Sequence, residues 1–155
     1  MRGFTLIEMI TILVIIGILA VSVSPIFIGG NGLESRAVRE RAVSVLRNIQ
    51  QSAMQNTDQC IVSVINTDRL GAPTSGDCSS GFSLSPGASE EPDRINTTNA
   101  VVVGLNSGSL PITIVFDGLG RPIGNACATG CTLTFSDNSA THSLCIESEG
   151  YIHPC

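Results

Sequence analysis

Few side chains in this sequence have the type and spacing for covalent, metal or acid–base chemistry. Cys127 and Cys131, with His142 and Cys145 after them, offer three thiols and an imidazole, the donor set of a tetrahedral zinc site. Their spacing is unusual for a zinc ribbon, and all six cysteines lie from Cys60 onward. The alternative chemistry is oxidation. Ala128, Thr129 and Gly130 separate Cys127 from Cys131 by a stretch short enough for a turn, and Ser148, Glu149 and Gly150 would double the chain back so that Cys155 approaches Cys145. Pairing between sequence neighbours therefore gives Cys60–Cys78, Cys127–Cys131 and Cys145–Cys155, with no metal and no other cofactor expected. His142 and His153 then read as surface strand residues. Glu90 and Glu91 sit together in a polar stretch with no apolar pocket to raise a carboxyl pKa. There is no Lys for a phosphate loop and no Gly-x-Ser-x-Gly elbow. No enzyme is expected.

One titratable residue remains out of place. Glu8 opens a run in which no charged side chain occurs from Met9 to Leu33, and most positions to Ile28 are Ile, Leu, Val or Met. About twenty such residues make a helix of roughly 30 Å, the thickness of a bilayer's hydrocarbon. A carboxylate near the start of a membrane helix is costly and calls for a partner. A secretory signal peptide, cleaved near Ala20-Val21-Ser22, avoids an acid in its apolar region, and a plain signal anchor leaves Glu8 without a role.

The contiguous residues Gly3-Phe4-Thr5-Leu6-Ile7-Glu8, preceded only by Met1 and Arg2 and followed by this apolar run, resemble the start of type IV pilins and pseudopilins. Gly17 and Pro25 match the helix-loosening Gly and Pro often found there. The resemblance implies a leader at residues 1–3, cleavage between Gly3 and Phe4 by prepilin peptidase, and N-methylation of Phe4. It further implies a bacterial inner-membrane stage with the head in the periplasm, an assembly platform, and packing against other pilin subunits in a filament. In that setting Glu8 would face the amine of Phe4, one helical turn away, during assembly.

The chain has 155 residues, and without the apolar segment roughly 120 remain, enough for one globular domain. The net charge is −5, unevenly spread: residues 1–57 carry five Arg against three Glu, residues 58–155 three Arg against ten acids. An acidic head argues against a nucleic-acid groove, which needs clustered basic residues. Trp is absent and aromatics are few, so a modest core would gain from disulfides.

Four segments are expected to position these groups: the leader at 1–3, a transmembrane or filament-core helix over 4–28, an amphipathic helix over 29–57, and a β-rich head over 58–155. The helix should loosen at Pro25, before Gly29, Gly30, Asn31 and Gly32. Residues 33–55 then place Val38, Ala42, Val45, Leu46, Ile49 and Ala53 on one stripe, with Arg36, Arg39, Arg41 and Arg47 largely away from it as a solvated face. Residues 60–66 read as a strand. From 67 to 99 the chain is polar, a long exposed loop with a short strand at 81–85 and an acidic stretch at 89–93. Segments 100–105, 112–116, 132–135 and 143–147 are strand candidates separated by turn residues, with Ile112, Ile114 and Phe116, Leu133 and Phe135, and Leu144 and Ile146 alternating inward, which predicts one antiparallel sheet covered by the amphipathic helix. The fold class is α+β.

A second stretch, Ile112-Thr113-Ile114-Val115-Phe116-Asp117-Gly118-Leu119-Gly120-Arg121-Pro122, resembles the strand and turn of minor pilins related to the H pseudopilin of type II secretion and of mannose-sensitive haemagglutinin pili. The resemblance implies a minor pilin that joins or primes a filament. Two alternatives stand beside it: a pseudopilin of a type II secretion system, and a tip module whose 67–99 loop binds a surface or sugar. The basic Gly-Arg-x-Arg patch of DNA-binding minor pilins is absent.

Overall fold

The computed structural model describes residues 5–28, 32–56, 61–73, 94–97, 101–106, 108–124 and 127–155, with the backbone alone for 20–28. The chain forms two compact units, Met1–Asn31 and Gly32–Cys155.

The first unit holds helix α1, Leu6–Ile28. Its first turn is closed by Thr5, whose carbonyl accepts from the N–H groups of Glu8 at 3.1 Å and Met9 at 3.3 Å. The helix continues through Pro25 to Ile28. The expected loosening at Pro25 therefore does not end it; proline removes one donor from the ladder while the remaining bonds carry the helix on. From Leu6 to Leu19 the side chains are exposed all round. Among the described side chains of this helix, Leu6 to Leu19, no apolar face is turned to a core.

In the second unit, helix α2 spans Leu33–Gln55. Gly32 precedes it in the left-handed region, with φ +82°. The helix ends where Asn56 turns its N–H and its side-chain amide onto the Ser52 carbonyl, at 3.0 and 3.1 Å. Val38, Ala42, Val45, Leu46, Ile49 and Ala53 are all buried, as their 3.6-residue period demands, and Leu46 lies at the centre with no exposed surface. Burying each of the larger side chains contributes about 1.5–3 kcal/mol.

Among the described residues, the strands form two antiparallel sheets. One has the order β3-β2-β1-β5-β6, from Arg94–Asn96, Arg69–Gly71, Val62–Ile65, Ile112–Phe116 and Pro122–Ile123. The other has the order β4-β7-β8-β9, from Val102–Leu105, Cys131–Ser136, Thr141–Ile146 and Ile152–Pro154. Helix α2 packs on strands of both. Leu133, Phe135, Leu144, Ile146 and Ile152 turn inward from the second sheet, and Ile65, Leu70, Ile95, Ile114 and Phe116 from the first.

This arrangement corrects the single sheet expected from the sequence. Strand β5 leaves the company of β4, β7 and β8: one edge pairs with β1 along Val62↔Val115 to Ile65↔Ile112, the other with β6 through Phe116↔Pro122. With both edges taken, β5 has no free edge for the strands that follow. The long polar loop is corrected as well. Its two ends are strands β2 and β3, joined in register from Arg69↔Asn96 to Gly71↔Arg94, each burying one apolar side chain, Leu70 and Ile95. The expected strand at 81–85 and the acidic stretch at 89–93 lie outside the described residues.

Candidate functional site

Glu8 sits in the first turn of α1 with its side chain exposed. One turn on, the Thr11 hydroxyl donates to the Glu8 backbone carbonyl at 2.8 Å. Gly3 and Phe4 lie outside the described residues. A β-carbon on Gly17 would meet no atom within 4 Å, so this glycine leaves that side of the helix open for close approach. Among the described residues no helix is long and apolar enough to cross a membrane. The described side chains of α1 stop at Leu19, short of the ~20 residues that a bilayer requires.

In the second unit two disulfides hold the last strands. Cys127–Cys131 brings its Cα atoms to 4.8 Å across a turn in which Gly130 has φ +89°. Cys145–Cys155 joins residues ten apart with Cα atoms 5.7 Å apart, tying the C-terminus to β8. These are two of the three pairs expected from sequence; Cys60 and Cys78 lie outside the described residues. The thiols weighed as zinc ligands beside His142 are thus bonded to one another or to the chain end. Closing the longer loop contributes roughly 2–4 kcal/mol.

The arginines of α2 do more than face solvent. Arg47 Nη2 donates to the Ile152 carbonyl at 2.6 Å, covering the open edge of β9. Arg39 is mostly buried and pairs with Glu40. His153, on β9, places Nδ1 2.9 Å from the Pro154 carbonyl and Nε2 3.1 Å from Glu147 Oε1, and its ring stacks on Tyr151 at 4.6 Å. With an acceptor at each nitrogen, the doubly protonated ring satisfies both contacts. Those contacts, the Pro154 carbonyl first and Glu147 second, raise its pKa above 6.5.

Two further residues organise this unit. Asp137, in the β7–β8 turn, accepts from the Ser139 and Ala140 N–H groups at 2.7 Å each and from the Ser35 N–H at 3.2 Å. It therefore caps α2 from a position 102 residues away, where Gly32 has no side chain to do so. These N–H groups hold its carboxyl at a pKa of about 2. Gln50, on the flank of α2, directs Nε2 to the carbonyls of Gly120 and Gly150, at 2.6 Å each. Those glycines end two turns with one backbone pattern: Gly120 N–H to the Asp117 carbonyl and Asp117 N–H to the Arg121 carbonyl in one, Gly150 N–H to the Glu147 carbonyl and Glu147 N–H to the Tyr151 carbonyl in the other, each at 2.9 Å. Sequence reasoning identified both turns and missed their clasp, because a glutamine beside an apolar stripe carries no signal of its target. The Asp-Asn-Ser run at 137–139 marks a turn, and nothing in it points to Ser35.

Residues 1–24 match the family model described as the prokaryotic N-terminal methylation motif. No curated protein matches the chain by sequence. Among solved structures, the type IV minor pilin FimU of Pseudomonas aeruginosa is similar over 77% of this chain and 91% of its own, at 15% identity and a TM-score of 0.56. The minor pseudopilin EpsH from the type 2 secretion system of Vibrio cholerae is similar over 79% of this chain and 96% of its own, at 11% identity and the same TM-score. The fold is shared with both.

Proposed function

We propose that this chain, which carries a prepilin-type N-terminal methylation motif on the fold of minor pilins and minor pseudopilins, is a structural subunit of a type IV pilus-like filament. The observation that carries the reading is the passage of the motif into a helix whose described side chains, apart from Glu8 and Thr11, are apolar and exposed on every side. Such a surface needs lipid first and other helices afterwards. In this reading a prepilin peptidase cuts after Gly3, Phe4 is methylated, and residues 4–28 anchor the precursor in the inner membrane. The assembly platform then moves the subunit into the filament, where it acts as a minor pilin that joins or primes the fibre. Glu8 pairs with a Phe4 amine, of its own chain or a neighbour's, as the helix leaves lipid. The likeness to EpsH supports a second setting for the same role, the short filament of a secretion apparatus.

The test is the substitution Glu8→Ala. An unpaired charge in a medium of low dielectric is strongly disfavoured, so the variant should be processed normally and yet be depleted from sheared filaments. Incorporation equal to the unaltered chain would overturn the assignment of Glu8.

A further inference from the structure

The two clasped turns carry a surface that the filament reading leaves without a role. Gly120 and Gly150 face each other in contact, and a β-carbon on Gly120 would also lie 3.1 Å from Met54 Sδ. Around this contact stand three large apolar side chains turned to solvent: Leu119 at 71% exposure, Tyr151 at 62% and Met54 at 44%. They gather at the end of α2 away from Leu33, where Met54 lies about 32 Å along the helix.

Several of the polar groups around them are committed to the turns themselves. Gln50 spends its amide on the two glycine carbonyls. Asp117 Oδ1 accepts from the N–H groups of Leu119 and Arg121, and its Oδ2 from Arg121 Nε at 2.9 Å. Glu147 is taken by His153, whose ring covers one face of Tyr151. With Gln50, Asp117 and Glu147 engaged, the contact surface itself is apolar carbon, with Arg121 and Glu149 at its edge. Glu149, exposed next to Tyr151, adds an acidic rim.

We infer that Leu119, Tyr151 and Met54 form a docking surface for a neighbouring subunit of the same filament, which presents an apolar patch with a basic rim. The inference rests on the filament reading above. At these exposures the three side chains together present roughly 350 Å² to solvent, the size of an apolar patch that is often functional. A stable pairwise interface takes about 800 Å² from each partner. The patch is therefore too small to hold a free dimer and suffices for a contact between heads whose helices are already bundled, where the effective concentration is high. Gln50 keeps the two turns, and so Leu119 and Tyr151, at a fixed spacing.

The experiment uses the full chain in filament-forming cells, with a photo-crosslinking amino acid at Leu119 or, as a control, at the exposed Val102 of β4. A crosslink from position 119 to a filament subunit, absent from position 102, is expected. In parallel, Leu119→Asp with Tyr151→Asp should lower incorporation about tenfold while leader cleavage and the melting of the purified protein stay as in the unaltered chain. Should that double variant misfold, the crosslink decides alone. Crosslinks from 119 to no filament subunit, or normal incorporation of a folded double variant, would overturn the inference. Absence of the unaltered chain from sheared filaments would instead sink the filament reading, a result distinct from these.

Discussion

Gly150 approaches Gly120 so closely that a β-carbon on Gly150 would lie 2.2 Å from the Gly120 carbonyl oxygen. The contact joins the last turn of one sheet to the last turn of the other, and the Gln50 amide bridges both. Two glycines far apart in sequence thus form one structural feature.

The approach predicts unequal costs for two similar substitutions. Gly150 and Gly124 have φ near +90°, but a β-carbon on Gly124 meets nothing within 4 Å. Gly124→Ala should cost only the left-handed backbone penalty, about 1 kcal/mol. Gly150→Ala adds a clash with backbone and should cost about 3 kcal/mol. Thermal melting of the two variants checks this; equal losses would show that the turns separate freely.

Asp137 predicts an acid-sensitive start to α2. Its folded pKa of about 2 lies below the ordinary 3.8, so its contribution is present above pH 3.8 and is lost as the pH falls towards 2. Asp137→Ala should lower stability at neutral pH and flatten the decline between those values. Hydrogen exchange at the Ser35 amide should quicken in the same variant. An unchanged acid-unfolding curve would contradict the cap.

The legibility of the chain followed from what each signal specifies. The buried stripe of α2 was readable because Val38 to Ala53 recur at helical spacing, and the two C-terminal disulfides because a turn separates each pair. Pairing partners were not. Alternation in Ile112–Phe116 states which side chains turn inward and says nothing of which strand lies beside them, so the pattern groups β5 with the C-terminal strands in one sheet where the structure has two. Strands β2 and β3 are three residues long with one buried apolar side chain each, too short to show a period. Gln50 and Asp137 act on backbone atoms some hundred residues away in sequence, which no local pattern encodes.

His153 predicts a dependence of opposite sign. Its folded pKa is raised above 6.5 by the Pro154 carbonyl and Glu147, against the opposing charge of Arg47. Its contribution is therefore complete below pH 6.5 and is lost as the pH rises through the folded value. Titration of the His153 ring by NMR should give a midpoint above 6.5. Glu147→Gln should move it back towards that value, and no movement would rule out the contact.

Ser63 predicts a gain. It is fully buried in β1, and its hydroxyl has no hydrogen-bond partner among the described residues. A buried unsatisfied group costs about 1–3 kcal/mol, so Ser63→Ala should be neutral or stabilise by about 1 kcal/mol. A loss exceeding that amount in denaturant titration would mean that the hydroxyl is bonded.

The central claim, that the chain is a processed filament subunit, is tested most directly by the mass of the mature N-terminus from cells that make the filament. The account predicts a chain that begins at Phe4 and carries one methyl group on its amine. A chain that begins at Val23, or one that still carries Met1, would contradict it.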